Sequence, residues 1–168
     1  MEKIIVTTGQ PFTDIDALAC AIAYTELLRL EGKDAEAVLP GPLNKSITNE
    51  IKSWNLKFLK TPTTKNAKYA LVDISEPKFF ANFVKENDVI EVYDHRPGFK
   101  DYWEKKLGDG AKTEMVGACA TLIWEEYVKR KKSNEISEMS GNLLSTAIIS
   151  NTLNFNAMVT TDRDKKSL

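Results

Sequence analysis

The sequence predicts an α/β fold: a mostly parallel sheet of about five strands with helices on both faces, in three α/β/α layers. Three observations predict it. Short apolar runs alternate with helical stretches along the chain, which is the pattern of right-handed βαβ units. The first run, Lys3 to Thr8, is continuous and β-branched, as in a strand covered on both faces. The chain has 168 residues and no internal repeat or low-complexity segment, which suits one ordinary globular domain.

The elements follow in order. After the first strand comes a Gly9-Gln10-Pro11 turn, then a helix over about residues 16–31. Its first half, Ala17 to Ala23, is apolar on every face, so it is expected to be buried, with small residues allowing close approach to the sheet. Gly32 stands where a helix ends in a left-handed residue. A second strand over 35–39 is broken by Pro40-Gly41-Pro42, and a helix over 45–54 is expected next. A polar stretch at 61–66 precedes a third strand, 69–73. A short aromatic helix over 77–86 leads to a fourth strand, 89–93. Residues 111–116 read as a fifth strand, and helices fill 117–132 and 137–149. The run Lys129-Arg130-Lys131-Lys132 is read as a solvated helix C-terminus. Phe79, Phe80 and Phe83 are read as core, as are Trp54, Trp103 and Trp124. The polar segment after Asp162 reads as the start of a further element.

Composition excludes several functions. With 23 Lys+Arg against 24 Asp+Glu, there is no basic excess to mark a nucleic-acid binder. No apolar run approaches the roughly 18 residues of a membrane helix. The N-terminus reads as no signal peptide, so a cytoplasmic protein is expected. Cys20 and Cys119 then read as buried, reduced thiols. A single His excludes His-rich zinc sites and two-His metalloprotease patterns. Lys100, Arg163 and Lys165 are read as solvated surface rather than phosphate contacts.

In open α/β sheets, ligands bind beyond the carboxyl ends of the strands. Asp14 and Asp16 follow the first strand, Asp73 ends the third, and Asp94 and His95 end the fourth. Four carboxylates and an imidazole on one rim would repel one another without a cation between them. Oxygen with nitrogen donors suits manganese best, with magnesium, cobalt or zinc as alternatives.

These residues resemble the motifs of the DHH-superfamily phosphoesterases, most closely the manganese-dependent (family II) inorganic pyrophosphatases and related exopolyphosphatases. Gly9-Gln10-Pro11-Phe12-Thr13-Asp14-Ile15-Asp16-Ala17 is similar to the first motif, and Leu71-Val72-Asp73 to the second. Asp94-His95-Arg96 stands at the namesake Asp-His-His. Gly117-Ala118-Cys119-Ala120-Thr121 resembles the following small-residue segment. Ala147-Ile148-Ile149-Ser150-Asn151-Thr152-Leu153-Asn154-Phe155, followed by Thr160-Thr161-Asp162-Arg163-Asp164, resembles the fourth motif. The resemblance implies a DHH-domain fold and hydrolysis of a small phosphorylated substrate by metal-activated water. It implies Asp14 on a first metal, Asp16 and His95 on a second, Asp73 bridging both, and Asp94 orienting the cluster from behind. It implies catalytic roles for Asp73, His95 and Arg96.

Three positions depart from the pattern. Gln10 replaces a His ligand of the first metal, Asn151 replaces an Asp ligand of the second, and Arg96 replaces a substrate-facing His. Weaker metal binding is expected, with the second position better filled. Arg96 would either bind an anionic substrate or hold the carboxylates together in place of a metal. The resemblance also implies a second, basic domain absent from these 168 residues, so the isolated lobe is expected to be a weak catalyst. A degenerate binding domain, or a phosphodiesterase for short oligonucleotides or cyclic dinucleotides, is the alternative. The resemblance leaves a homodimer open.

Overall fold

The computed structural model describes residues 2–167. Five strands form one all-parallel sheet: β1 (Lys3–Thr7), β2 (Ala35–Val38), β3 (Ala67–Val72), β4 (Val89–Asp94) and β5 (Ala111–Thr113). Their spatial order is β2-β1-β3-β4-β5. The crossovers therefore diverge between β1 and β3, the switch point at which such sheets open a crevice. Thr7 is in register with Leu71, and Val72 with Tyr93, so the loops after β1, β3 and β4 leave the sheet at one edge.

The strand period of two divides the apolar residues between two cores. Ile4, Val6, Ala70, Val72 and Tyr93 face one layer. That layer holds α1 (Ile15–Leu30), α4 (Cys119–Lys129) and α5 (Glu138–Asn151), with the short α2 (Asn49–Ser53) at its margin. Ile5, Val38, Tyr69, Leu71 and Val92 face the other, where α3 (Lys100–Leu107) packs through Trp103. Every residue from Ile15 to Thr25 of α1 is buried, as expected of a helix apolar all round. Gly32 is left-handed at φ 77°, one residue past the C-cap Glu31.

Several elements differ from expectation. Residues 45–54 hold only the five-residue α2, because Asn44 and Ser46 bond to one another locally and Thr48 caps the helix late. Residues 77–86 form no α-helix, only a 3-10 turn at Pro77–Phe79 and the start of another, Glu86–Asp88. Phe80 and Phe83 pack on the second core, but their neighbour Phe79 is exposed. The helix α3 was not expected; its signal is Trp103 and Leu107, four apart on an otherwise charged segment. Arg130 of the basic run is not a solvated cation. Its side chain folds inward to Glu126 (2.8 Å), Tyr24 Oη (2.7 Å) and Glu31 (3.0 Å). The polar end forms α6 (Asp162–Lys166), capped by Thr161. Among the described residues, no helix is long and apolar enough to cross a membrane.

Candidate metal centre

The site is assembled by strand-end loops and the start of one helix. Asp16 lies in the first turn of α1 and is fully buried. It is stabilised there by the N-terminus of α4: Cys119 N–H donates to Oδ2 (2.8 Å) and Ala120 N–H to Oδ1 (2.9 Å). A helix start has free N–H groups and a positive dipole end, so it suits a buried carboxylate. Burial still pushes the Asp16 carboxyl upward, with only partial relief from His95 and those two amides. The Cys20 thiol, at 3.4 Å from Oδ1, is the weakest of its contacts.

Asp73 follows β3 directly. Its N–H continues the ladder to Tyr93 O (2.8 Å), but its φ of 55° turns the chain left-handed. Asp and Asn tolerate that region better than other non-glycine residues. Burial, reinforced by Asp16 and Asp14, drives its carboxyl up to about 7, against the pull of His95 and Arg96.

His95 begins the loop after β4. Its Nδ1 faces Val116 O at 3.3 Å and its Nε2 faces Asp73 Oδ1 at 3.4 Å. With Nδ1–H donating to that carbonyl, Nε2 is the nitrogen that can ligate a metal. Burial alone would lower the imidazole, but Asp73 and Asp16 raise it to about 9. Asp16, Asp73 and His95 each offer a ligand atom within 4.8 Å of the others. Two carboxylates and one imidazole fit one divalent manganese, cobalt or zinc ion.

The remaining residues singled out in the sequence lie around this trio. Asp14 is half-buried and caps α1, accepting from Ala17 N–H (2.9 Å). It lines a cleft of about 320 Å³ with Gln10, Phe12, Asp73, Phe79 and Arg96. Gln10 is exposed, and its backbone N–H donates to Phe79 O. Asn151, at the position where the resemblance implies a substituted metal ligand, donates its amide N–H to Asp16 Oδ2 at 2.6 Å. Asp94 is buried and turned toward Arg96: its Oδ1 accepts from Arg96 Nε (2.9 Å), and its Oδ2 accepts from Ser75 Oγ (2.6 Å). Arg96 Nη2 then reaches Asp73 Oδ1 (2.9 Å) and Asp73 O (2.5 Å). A guanidinium therefore contacts the Asp73 carboxylate within the cleft that Gln10 and Asp14 also line.

Three residues support the site in roles that the sequence alone does not assign. Val116 and Ser75 act through a carbonyl and a hydroxyl, which carry no local pattern. Asp164 had a signal: Thr161-x-x-Asp164 is a capping box. The fully buried Asp164 also accepts from Gly117 N–H (3.0 and 2.9 Å) and Thr121 Oγ1 (2.6 Å). It thereby braces the entry to α4, whose amides hold Asp16. A Cβ at Gly117 would lie 2.6 Å from Thr152 Cγ2 and 2.9 Å from Asp164 Oδ2, so only glycine permits this approach.

No family model matches the chain. A Listeria welshimeri protein assigned as a manganese-dependent inorganic pyrophosphatase is 32% identical over 168 residues, covering 98% of this chain and 53% of that protein. A crystal structure of a Methanococcus jannaschii protein, assigned to the family II inorganic pyrophosphatases, matches with a TM-score of 0.71 and 25% identity. That match covers 98% of this chain and 53% of that one. An exopolyphosphatase-related protein of Bacteroides fragilis shares the fold alone, at a TM-score of 0.74 and 12% identity, over 99% of this chain and 51% of its own. The chain spans about half the length of the curated relatives it matches. Over nearly its whole length, this chain is thus a relative of the proteins assigned as manganese-dependent (family II) inorganic pyrophosphatases and shares the fold of the half it matches.

Proposed function

We propose that the chain provides the metal-holding part of a hydrolase of phosphoanhydride or phosphoester bonds, with pyrophosphate as the leading substrate. The observation that carries this reading is the convergence of Asp16, Asp73 and His95 beside a cleft that Arg96 also lines. A bound divalent cation, manganese first, would supply an activated water and offset phosphoryl charge. The chain's own residues do the rest. The Val116 carbonyl and the α4 amides hold the imidazole and the Asp16 carboxylate in fixed orientation. The Arg96 side chain, 58% exposed, is anchored through Nε and Nη2 and can meet a phosphate oxygen from the cleft side. The part of the relatives that this chain does not match would close the other wall of the site. The buried free thiols Cys20 and Cys119 suit a reducing, cytoplasmic setting.

The test is phosphate release from pyrophosphate with manganese, using the longest natural form of the protein. Asp16→Asn is expected to lower kcat at least about a hundredfold, since it removes a charged ligand. Equal turnover by that variant would refute the assignment. Cleavage of a phosphodiester but not of pyrophosphate would move the substrate to the oligonucleotide or cyclic-dinucleotide class. A non-catalytic phosphate-binding domain is the second reading, favoured by the donors Arg96 and Asn151 on the carboxylates. No turnover on either substrate, with phosphate binding retained, would select it.

Metal affinity should depend on pH. Metal binding must displace the protons held by His95, to about 9, and by Asp73, to about 7. Manganese affinity is expected to rise roughly tenfold per pH unit between 7 and 9, more steeply below 7, and to level off above 9. Both folded-state values are raised. The metal-free fold should therefore lose stability as pH rises, through Asp73 from 3.8 to about 7 and through His95 from 6.5 to about 9. Titration calorimetry at pH 6.5, 7.5 and 8.5 reads the affinity, and a pH-independent constant would contradict the ligand set.

A further inference from the structure

We propose that the Arg96 guanidinium serves as the second cation of this centre, so that the chain binds one divalent metal rather than two. This inference rests on the metal reading above. Within this centre, the Asp73 carboxylate is shared by His95 and Arg96. Its Oδ1 lies 3.4 Å from His95 Nε2 and 2.9 Å from Arg96 Nη2. The guanidinium is fixed rather than loosely placed. Nη2 also donates to the Asp73 carbonyl at 2.5 Å, and Nε donates to Asp94 Oδ1 at 2.9 Å. Asp94 is in turn held by Ser75 Oγ, and the Ser75 carbonyl accepts from Trp103 Nε1 at 2.6 Å.

The neighbouring positions point the same way. Gln10 and Asp14 line the same cleft as Asp73 and Arg96, so they share it with a cation that cannot be deprotonated. A metal there would face that fixed charge at close range. Asn151 contributes an N–H to Asp16 rather than another negative oxygen, so the cluster has less charge to offset. The carboxylates of Asp14, Asp16, Asp73 and Asp94 are then countered by one divalent ion and one guanidinium, leaving about one negative charge. A second divalent ion would make it positive before substrate arrived.

The experiment counts manganese on the 168-residue chain, by titration against the electron paramagnetic resonance signal of free Mn²⁺. Wild type is expected to take up one ion. The double variant Gln10→His with Arg96→His removes the guanidinium and adds nitrogen donors. It is expected to take up two, with the broadened signal of a spin-coupled pair. Arg96→Lys keeps a cation in place and is expected to take up one. Two ions in wild type, two in Arg96→Lys, or one in the folded double variant would overturn the inference while leaving the metal reading intact. No ion in wild type would overturn both. Thermal unfolding of each variant confirms the fold, and the counts for wild type and Arg96→Lys decide the matter if the double variant does not fold.

Discussion

Asp73→Asn is expected to lower manganese affinity by at least about a hundredfold while leaving the fold nearly as stable as before. Asn is the informative replacement. Asp73 sits at φ 55°, a conformation Asn tolerates, whereas Ala would add backbone strain of about 1 kcal/mol. The change removes the charge shared by His95 and Arg96 but keeps the side chain's volume. It also removes a buried carboxylate that burial already disfavours in its ionised form. Lost binding with unchanged unfolding would therefore report the ligand itself. Calorimetry that found wild-type affinity in Asp73→Asn would remove Asp73 from the ligand set.

Asp164→Ala is expected to cost about 3 kcal/mol of stability, or about 10 °C in Tm for a domain of this size. The residue is far from the cleft in sequence, yet its fully buried carboxylate receives Gly117 N–H, Thr121 Oγ1 and Thr161 N–H and Oγ1. Those bonds hold its carboxyl below the usual range even though burial pushes the other way. Truncation would leave several buried donors without partners, and each is costly. Asp162→Ala is the control, because that side chain is 88% exposed and should shift stability by no more than about 0.5 kcal/mol. Thermal melts of the two variants that differed by less than about 2 °C would contradict this account of Asp164.

The parts of the molecule that could be read from the sequence are those set by local pattern. β1 and the all-round apolar α1 follow from runs of side chains, and Gly32 marks the end of that helix through its positive φ. The grouping of Asp16, Asp73 and His95 follows from one rule about strand ends in parallel sheets. Features decided by tertiary partners were less legible. Phe79 and Phe80 are neighbours, and only the packing shows that one lines the cleft and the other joins the core. Arg130 sits in a basic run, but partners from α1, α4 and β4 draw it inward. Leu153, Asn154 and Phe155 are left-handed in succession without a glycine, which no propensity would suggest. The contacts of Arg96 with Asp73 and Asp94 are likewise set by tertiary packing, not by its local sequence.

The chain has one histidine, and this makes the metal centre unusually open to a direct test. Any imidazole nitrogen on a metal bound to untagged protein must belong to His95. Electron spin-echo envelope modulation of the chain loaded with one equivalent of Mn²⁺ should show ¹⁴N coupling from a single directly bound imidazole, and that coupling should vanish in His95→Ala. Bound Mn²⁺ with no imidazole coupling, or with coupling that survives His95→Ala, would contradict the centre formed by Asp16, Asp73 and His95.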